Sequence, residues 1–175
     1  SSPSGVDSGN SWKQTISGWQ EQFPLVYEPA DDGGLLKPQY VLEELRDRAP
    51  EDCIVASGVG QHQMWTSQYW HFNHPYTWIN SGGAGTMGFS VPAAIGARLA
   101  APSRPVVLLI GDGGMAMCGM ELATAASLRL PIPVIVFDDG QLNQIRLHQQ
   151  AEFGRDFAVE LPEIDFEAFA AATGA

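Results

Sequence analysis

Two apolar runs in this chain end in acids. PVVLLI (105–110) leads into Gly111-Asp112-Gly113-Gly114, and PVIVF (133–137) leads into Asp138-Asp139-Gly140. Glycines at such places let backbone N–H groups come close to an anion, and the helix that follows offers its positive N-terminal end. A carboxylate beside a phosphate is repulsive unless a cation stands between them. Mg²⁺ meets that need, because it takes a few protein oxygens and completes its octahedron with phosphate oxygens and water. Asp112 and Asp139 are therefore candidate ligands of a divalent cation that holds a diphosphate. The competing role is local, since an Asp at a strand end often only caps the next helix. The residues alone leave both readings open.

A second pattern offers different chemistry. Gly83, Gly85 and Gly88 spell GxGxxG, with Asp112 at the end of a later strand, the arrangement of a nicotinamide- or flavin-binding oxidoreductase. Two features count against it. These glycines follow the short, mixed TWINS rather than a long apolar strand, and the pattern has no use for an acid at 139.

The elements that must position these residues are legible as alternating runs. Short strands are expected over CIVAS (53–57), TWIN (77–80), PVVLLIGD (105–112) and PIPVIVFDD (131–139). Helices are expected over LKPQYVLEELRDRAP (36–50), with a proline near its start, and over GQHQMWTSQYW (60–70). TMGFSVPAAIGARLA (86–100) reads as helical despite Pro92, MCGMELATAASLRL (117–130) as the clearest helix, LNQIRLHQQ (142–150) as another, and FEAFAAATGA (166–175) as the start of a last one. Strands alternating with helices predict an α/β fold, a mostly parallel sheet with helices on both faces. In such a sheet ligands sit outside the carboxyl ends of the strands, where both acids fall. SSPSGVDSGN (1–10) reads as a flexible lead-in and residues 11–34, with no sustained period, as a connecting arm; the domain is expected over 35–175.

Composition narrows the partners. Twenty Asp and Glu against nine Lys and Arg give a formal charge of −11, which opposes a nucleic-acid partner in the absence of a basic patch. No apolar run of about 18 residues is present, so no membrane partner is expected. Cys53 and Cys118 are isolated, without CxxC spacing, as packed thiols of a reducing compartment would be. A cytoplasmic location is the expectation.

Four segments carry a family resemblance: GVGQHQMW (58–65), SGGAGTMGFSVPAAIGA (81–97), GDGGMAMCGMELATA (111–125) and DDGQLNQI (138–145). Together they resemble the thiamine-diphosphate-binding domain of the acetohydroxyacid synthases, the acetolactate synthase large subunits, over about residues 35–175. GDG with a second metal ligand is shared by thiamine-diphosphate enzymes and implies only the cofactor. GQHQMW is narrower and points to the synthase branch.

The resemblance implies side-chain oxygens of Asp112 and Asp139 and the backbone carbonyl of Gln141 as Mg²⁺ ligands. It implies diphosphate contacts from the N–H groups of Gly113 and Gly114 on one side and from Gln61 and His62 on the other. Gly85 would accept from the amino group of the aminopyrimidine, and Met87 would wedge beneath the cofactor and bend it, setting that group near the reactive carbon. Without the family, His62 reads as a helix-surface histidine and Met87 as core filler. The implied reaction decarboxylates a 2-keto acid such as pyruvate and joins the two-carbon unit to a second carbonyl, with chemistry that belongs mainly to the cofactor.

Several positions depart from the family pattern. Asp138-Asp139 stands for the usual Asn-Asn, Gly58 for the usual Asp ahead of VGQ, and Gln144 and His148 occupy positions where a Met and a Trp shape the substrate pocket. A polar wall there opens the alternative of another acceptor, or of a related lyase or decarboxylase. Beyond this chain the resemblance implies an activating Glu on the pyrimidine-binding domain of a partner subunit, an FAD-binding middle domain, and a homodimer or tetramer. On this reading the chain is the diphosphate half of a larger enzyme. Its fold is incomplete at the C-terminus, it has no catalytic residue of its own, and it is inactive alone.

Overall fold

The computed structural model describes residues 8–30 and 33–175; residues 1–7 of the lead-in, and Asp31 and Asp32 of the acidic turn, lie outside the described residues. The chain divides into two compact units, residues 1–35 and 36–175. In the first, a helix α1 (Ser8–Gln22) replaces the end of the expected flexible lead-in and the first half of the expected connecting arm, and residues 24–30 carry no regular structure. Trp12, Ile16 and Trp19, four and then three residues apart, lie along α1 as an exposed stripe. The rings of Trp12 and Trp19 meet edge to face at 5.7 Å.

The second unit is built on four parallel strands in the order β2-β1-β3-β4. These are β1 (Ile54–Ser57), β2 (Trp78–Ile79), β3 (Val106–Gly111) and β4 (Val134–Phe137). The helices α2 (Pro38–Arg48), α3 (Gln61–Tyr69), α4 (Ser90–Ala100), α7 (Asn143–Phe153) and α8 (Phe166–Thr173) follow the predicted segments closely. Pro38 opens α2 and Pro92 falls in the first turn of α4, where a backbone N–H has no intrahelical partner to lose.

Strand β3 is the spine. All six of its residues are buried, and alternate side chains face opposite layers. Val106, Leu108 and Ile110 join Ile54, Val91, Ala94, Ile95 and Leu122 in one core cluster. Val107 and Leu109 point to the other face, where α3 packs against β1 and β3, and α2 packs in turn on α3 with Leu42 fully enclosed. Burial of each such Leu or Ile contributes roughly 1.5–3 kcal/mol. The expected α/β fold, a parallel sheet between helical layers, is the one observed.

The segment 117–130 corrects the sequence reading. Instead of one helix it forms α5 (Asp112–Cys118), a 3₁₀ turn (Gly119–Glu121) and α6 (Leu122–Ser127). At this break the Phe169 ring of α8 packs against Gly119, where a Cβ would lie 2.8 Å from Cε1. α5 also begins earlier than expected, at Asp112 itself.

Candidate functional site

The register of β3 and β4 places the two acidic strand ends side by side. Gly111 pairs with Phe137, so Asp112 and Asp138 are the next positions on neighbouring strands. Asp112 is buried, 8% exposed, at the start of α5. Its Oδ1 accepts from the Gly113 N–H at 2.7 Å and its Oδ2 from the Gly140 N–H at 2.9 Å, which ties the end of β3 to the loop after β4. Asp139 is exposed and held differently. Its Oδ1 accepts from the Gln141 N–H at 3.3 Å and its Oδ2 from Asn143 Nδ2 at 2.7 Å, while Asn143 Oδ1 accepts from Arg146 Nε at 2.9 Å.

These carboxylates strain one another. Burial pushes the Asp112 carboxyl above the usual carboxylate range, and the Asp139 charge and a hydrogen bond with Asp138 push it the same way, against the opposing pull of the Gly113 and Gly140 N–H groups. A divalent cation is the chemical group that relieves such a cluster. Among the described residues no group of three or more His, Cys, Asp or Glu is arranged for metal binding. A cation here would rest on two carboxylates and backbone oxygen, a donor set suited to Mg²⁺ with phosphate and water completing the shell.

Chain far downstream shapes the loop that carries Gln141. Leu142 N–H donates to Val159 O at 2.7 Å, Leu161 N–H donates to Gly140 O at 2.9 Å, and Gln141 bridges Glu160 in antiparallel fashion. Val159 is buried beneath this strap. Neither the strap nor Asn143 is visible as a site element in the sequence; the only signal is that both flank residues already singled out. Gly113 lies under three apolar tips: a Cβ there would meet Leu142 Cδ2 at 3.0 Å, Leu161 Cδ1 at 3.2 Å and Met87 Cε at 3.2 Å. Met87 therefore reaches the glycines that follow β3. Gly114 sits over Ile110, and its position in the first turn of α5 needs the same lack of a side chain, with Ile110 Cγ1 3.1 Å from a would-be Cβ.

Gly85 adopts the left-handed conformation (φ 57°) at the end of a 3₁₀ turn (Gly82–Ala84). That geometry bears on the GxGxxG pattern of Gly83, Gly85 and Gly88. β2 is only two residues long, Gly83 lies inside the 3₁₀ turn that follows it, Gly88 has φ 84° and α4 begins only at Ser90, so no long apolar strand runs directly into these glycines as the pattern requires.

Gln61 is half-buried at the first position of α3, after Gly60. His62 departs from a helix-surface histidine. It is 6% exposed, its ring stacks on Phe137 at a centroid distance of 6.0 Å, and its Nε2 has no partner among the described residues. Burial lowers its pKa to about 4, so the ring is neutral at physiological pH. On α7, Gln144 and His148 are one turn apart and paired, Nε2 to Nε2 at 2.8 Å. The amide nitrogen is the donor, so His148 accepts on Nε2. Both free thiols, Cys53 and Cys118, have pKa values raised by burial, as packed rather than reactive cysteines do.

The family model described as the thiamine pyrophosphate enzyme C-terminal TPP-binding domain matches residues 58–175, which include both strand-end acids, Gln61, His62 and the loop after β4. The chain belongs to this family. As a TPP-binding domain it is similar to the acetolactate synthase of Mycobacterium bovis, 40% identical over 147 residues that cover 84% of this chain and 24% of the relative. It is 44% identical over 138 residues to the acetolactate synthase large subunit of Corynebacterium glutamicum, covering 79% of this chain and 22% of that protein. To the large subunit of Lactococcus lactis subsp. lactis it is 36% identical over 167 residues, 94% of this chain and 29% of the relative. This TPP-binding domain thus spans about a quarter of the length of the curated relatives it matches. None of its described helices is long and apolar enough to cross a membrane.

Proposed function

We propose that this domain holds thiamine diphosphate through Mg²⁺, bound by Asp112, Asp139 and the Gln141 carbonyl, as the diphosphate half of an acetolactate synthase-like enzyme. One observation carries the reading. Asp112, buried at the end of β3, accepts from the Gly140 N–H and feels the Asp139 charge, so the acids that end two neighbouring strands lie within electrostatic reach of each other beside a glycine-lined helix start. Gly113 and Gly114 contribute backbone N–H groups to the diphosphate, Gln61 and His62 close its other side, Gly85 receives the aminopyrimidine, and Met87 supports the bent cofactor. When bound, thiamine diphosphate supplies a nucleophilic carbon and an electron sink for loss of carbon dioxide from a 2-keto acid. The substrate is pyruvate, whose two-carbon unit is joined to a second carbonyl.

The whole enzyme needs more than this domain. An activating Glu from the pyrimidine-binding domain of a partner subunit, a homodimeric or tetrameric assembly, an FAD-binding middle domain and a cytoplasmic location complete the proposal. The domain by itself does not turn over. Isothermal titration of the full-length protein with thiamine diphosphate in Mg²⁺ tests the core of it: saturable, Mg²⁺-dependent binding is expected, and no heat with either component would refute it.

The Gln144–His148 pair supports a second reading, in which the same cofactor serves another acceptor, a lyase or a decarboxylase. His148→Trp in the full-length enzyme is expected to change the preference among 2-keto acids and leave cofactor affinity within about twofold. Equal loss of both would remove His148 from the substrate pocket.

A further inference from the structure

Two buried polar atoms without partners converge on one glycine. Ser90 is fully buried and His62 nearly so, and both Ser90 Oγ and His62 Nε2 lack a hydrogen bond among the described residues. A Cβ at Gly58 would lie 2.8 Å from His62 Nε2 and 3.4 Å from both Ser90 Oγ and Ile110 Cγ1. Both polar atoms thus lie on the side of Gly58 where a Cβ would stand, with Ile110 beside them, and only glycine lets Nε2 come so close. Unpaired buried groups are strongly disfavoured, and a small polar space between two of them is where proteins hold an ordered water.

The opposite edge of the ring faces the site already described. Nδ1 lies 3.2 Å from a would-be Cβ on Gly111 and 3.3 Å from one on Gly60. Gly111 immediately precedes Asp112, so that edge borders the acidic strand ends, which favour an N–H there over a lone pair. A neutral imidazole has one donor and one acceptor, and the partner of one nitrogen sets the role of the other.

We propose that Ser90 is a positioning residue: through one water bound in the space beside Gly58 it makes His62 Nε2 the hydrogen-bond acceptor and so keeps the proton on Nδ1. Ser90 donates to the water, the water donates to Nε2, and the ring presents Nδ1–H toward Gly60 and Gly111. If a diphosphate binds beside Gly113, as proposed above, that N–H is a donor already aimed at it; only this last step rests on the cofactor reading.

The test uses ring-¹⁵N-labelled histidine in the full-length protein, with the His62 signals identified by their loss in His62→Gln. Long-range ¹H–¹⁵N spectra are expected to show the Nδ1–H form in the wild type and in Ser90→Thr. In Ser90→Ala, and in Gly58→Ala where the new methyl crowds Nε2 and excludes a water there, that preference is lost. An Nε2–H ring in the wild type, or an unchanged Nδ1–H ring in Ser90→Ala and Gly58→Ala, would overturn the proposal. A second measurement, titration with thiamine diphosphate in Mg²⁺, is expected to give about tenfold weaker binding for Ser90→Ala and near-wild-type binding for Ser90→Thr. Absence of any binding in the wild type would refute the cofactor reading, while the spectra still decide the role of Ser90.

Discussion

Strands β3 and β4 are neighbours with the same pattern, an apolar run, an acid and a glycine, yet their ends are built differently. β3 is buried along all six residues and delivers a carboxylate locked by two backbone N–H donors. β4 is half-buried throughout and delivers Asp139 into the open, where one oxygen accepts from the Gln141 N–H at a long 3.3 Å and the other is steadied by a side-chain relay, Asn143 on the carboxylate and Arg146 on Asn143. Backbone donors move only if the fold moves, whereas a side-chain relay can adjust. The proposed metal site thus pairs a fixed ligand with an adaptable one, which suits a cation that must accept a phosphate ligand without being gripped by a full protein cage.

That contrast is open to attack from both sides. Asp112→Ala removes the fixed ligand and is expected to weaken Mg²⁺-dependent thiamine diphosphate binding on the order of a thousandfold, about 4 kcal/mol, by calorimetry. A loss no larger than that of Asp139→Ala would erase the distinction. In the strands themselves, Leu109→Ala is expected to lower unfolding free energy in denaturant by about 3 kcal/mol, and Val136→Ala by about 1 kcal/mol, because only the first leaves a cavity in a fully packed layer.

His62, stacked on the end of β4, adds a pH dependence. Its pKa falls from 6.5 to about 4 on folding, so between those values the unfolded chain binds more protons. Stability from this ring is complete above pH 6.5 and is lost as pH falls toward 4, by about 3 kcal/mol. His62→Gln should flatten that part of the curve. The smallest expected effect sharpens the comparison most. Asn143→Ala leaves both carboxylates in place but cuts the relay, and cofactor affinity is expected to drop about tenfold with little change in unfolding midpoint.

β1 and β3 were legible because fully buried parallel strands read as apolar runs, β4 because its outward side chains are apolar too, and the strand-end acids followed from where such runs stop. GQHQMW narrowed the family because its residue types were specific enough to do so. α1 was missed although Trp12, Ile16 and Trp19 keep helical spacing, because the polar residues between them and the short stripe mask the period. The break at Gly119 was invisible for a different reason: it lies where Phe169, fifty residues away in the chain, packs against the backbone. His62 hid in the same way. Its helix has a polar first turn, and only the glycines at 58, 60 and 111 make room to draw that turn inward.

The pairing of Gly140–Leu142 with Val159–Leu161 has a consequence for cooperativity. Two stretches almost twenty residues apart share amide protons, so neither can open to solvent without freeing the other. A cation gripping the first would slow deuterium uptake in the second, and a nick near Glu160 would loosen the loop after β4 that is paired with it.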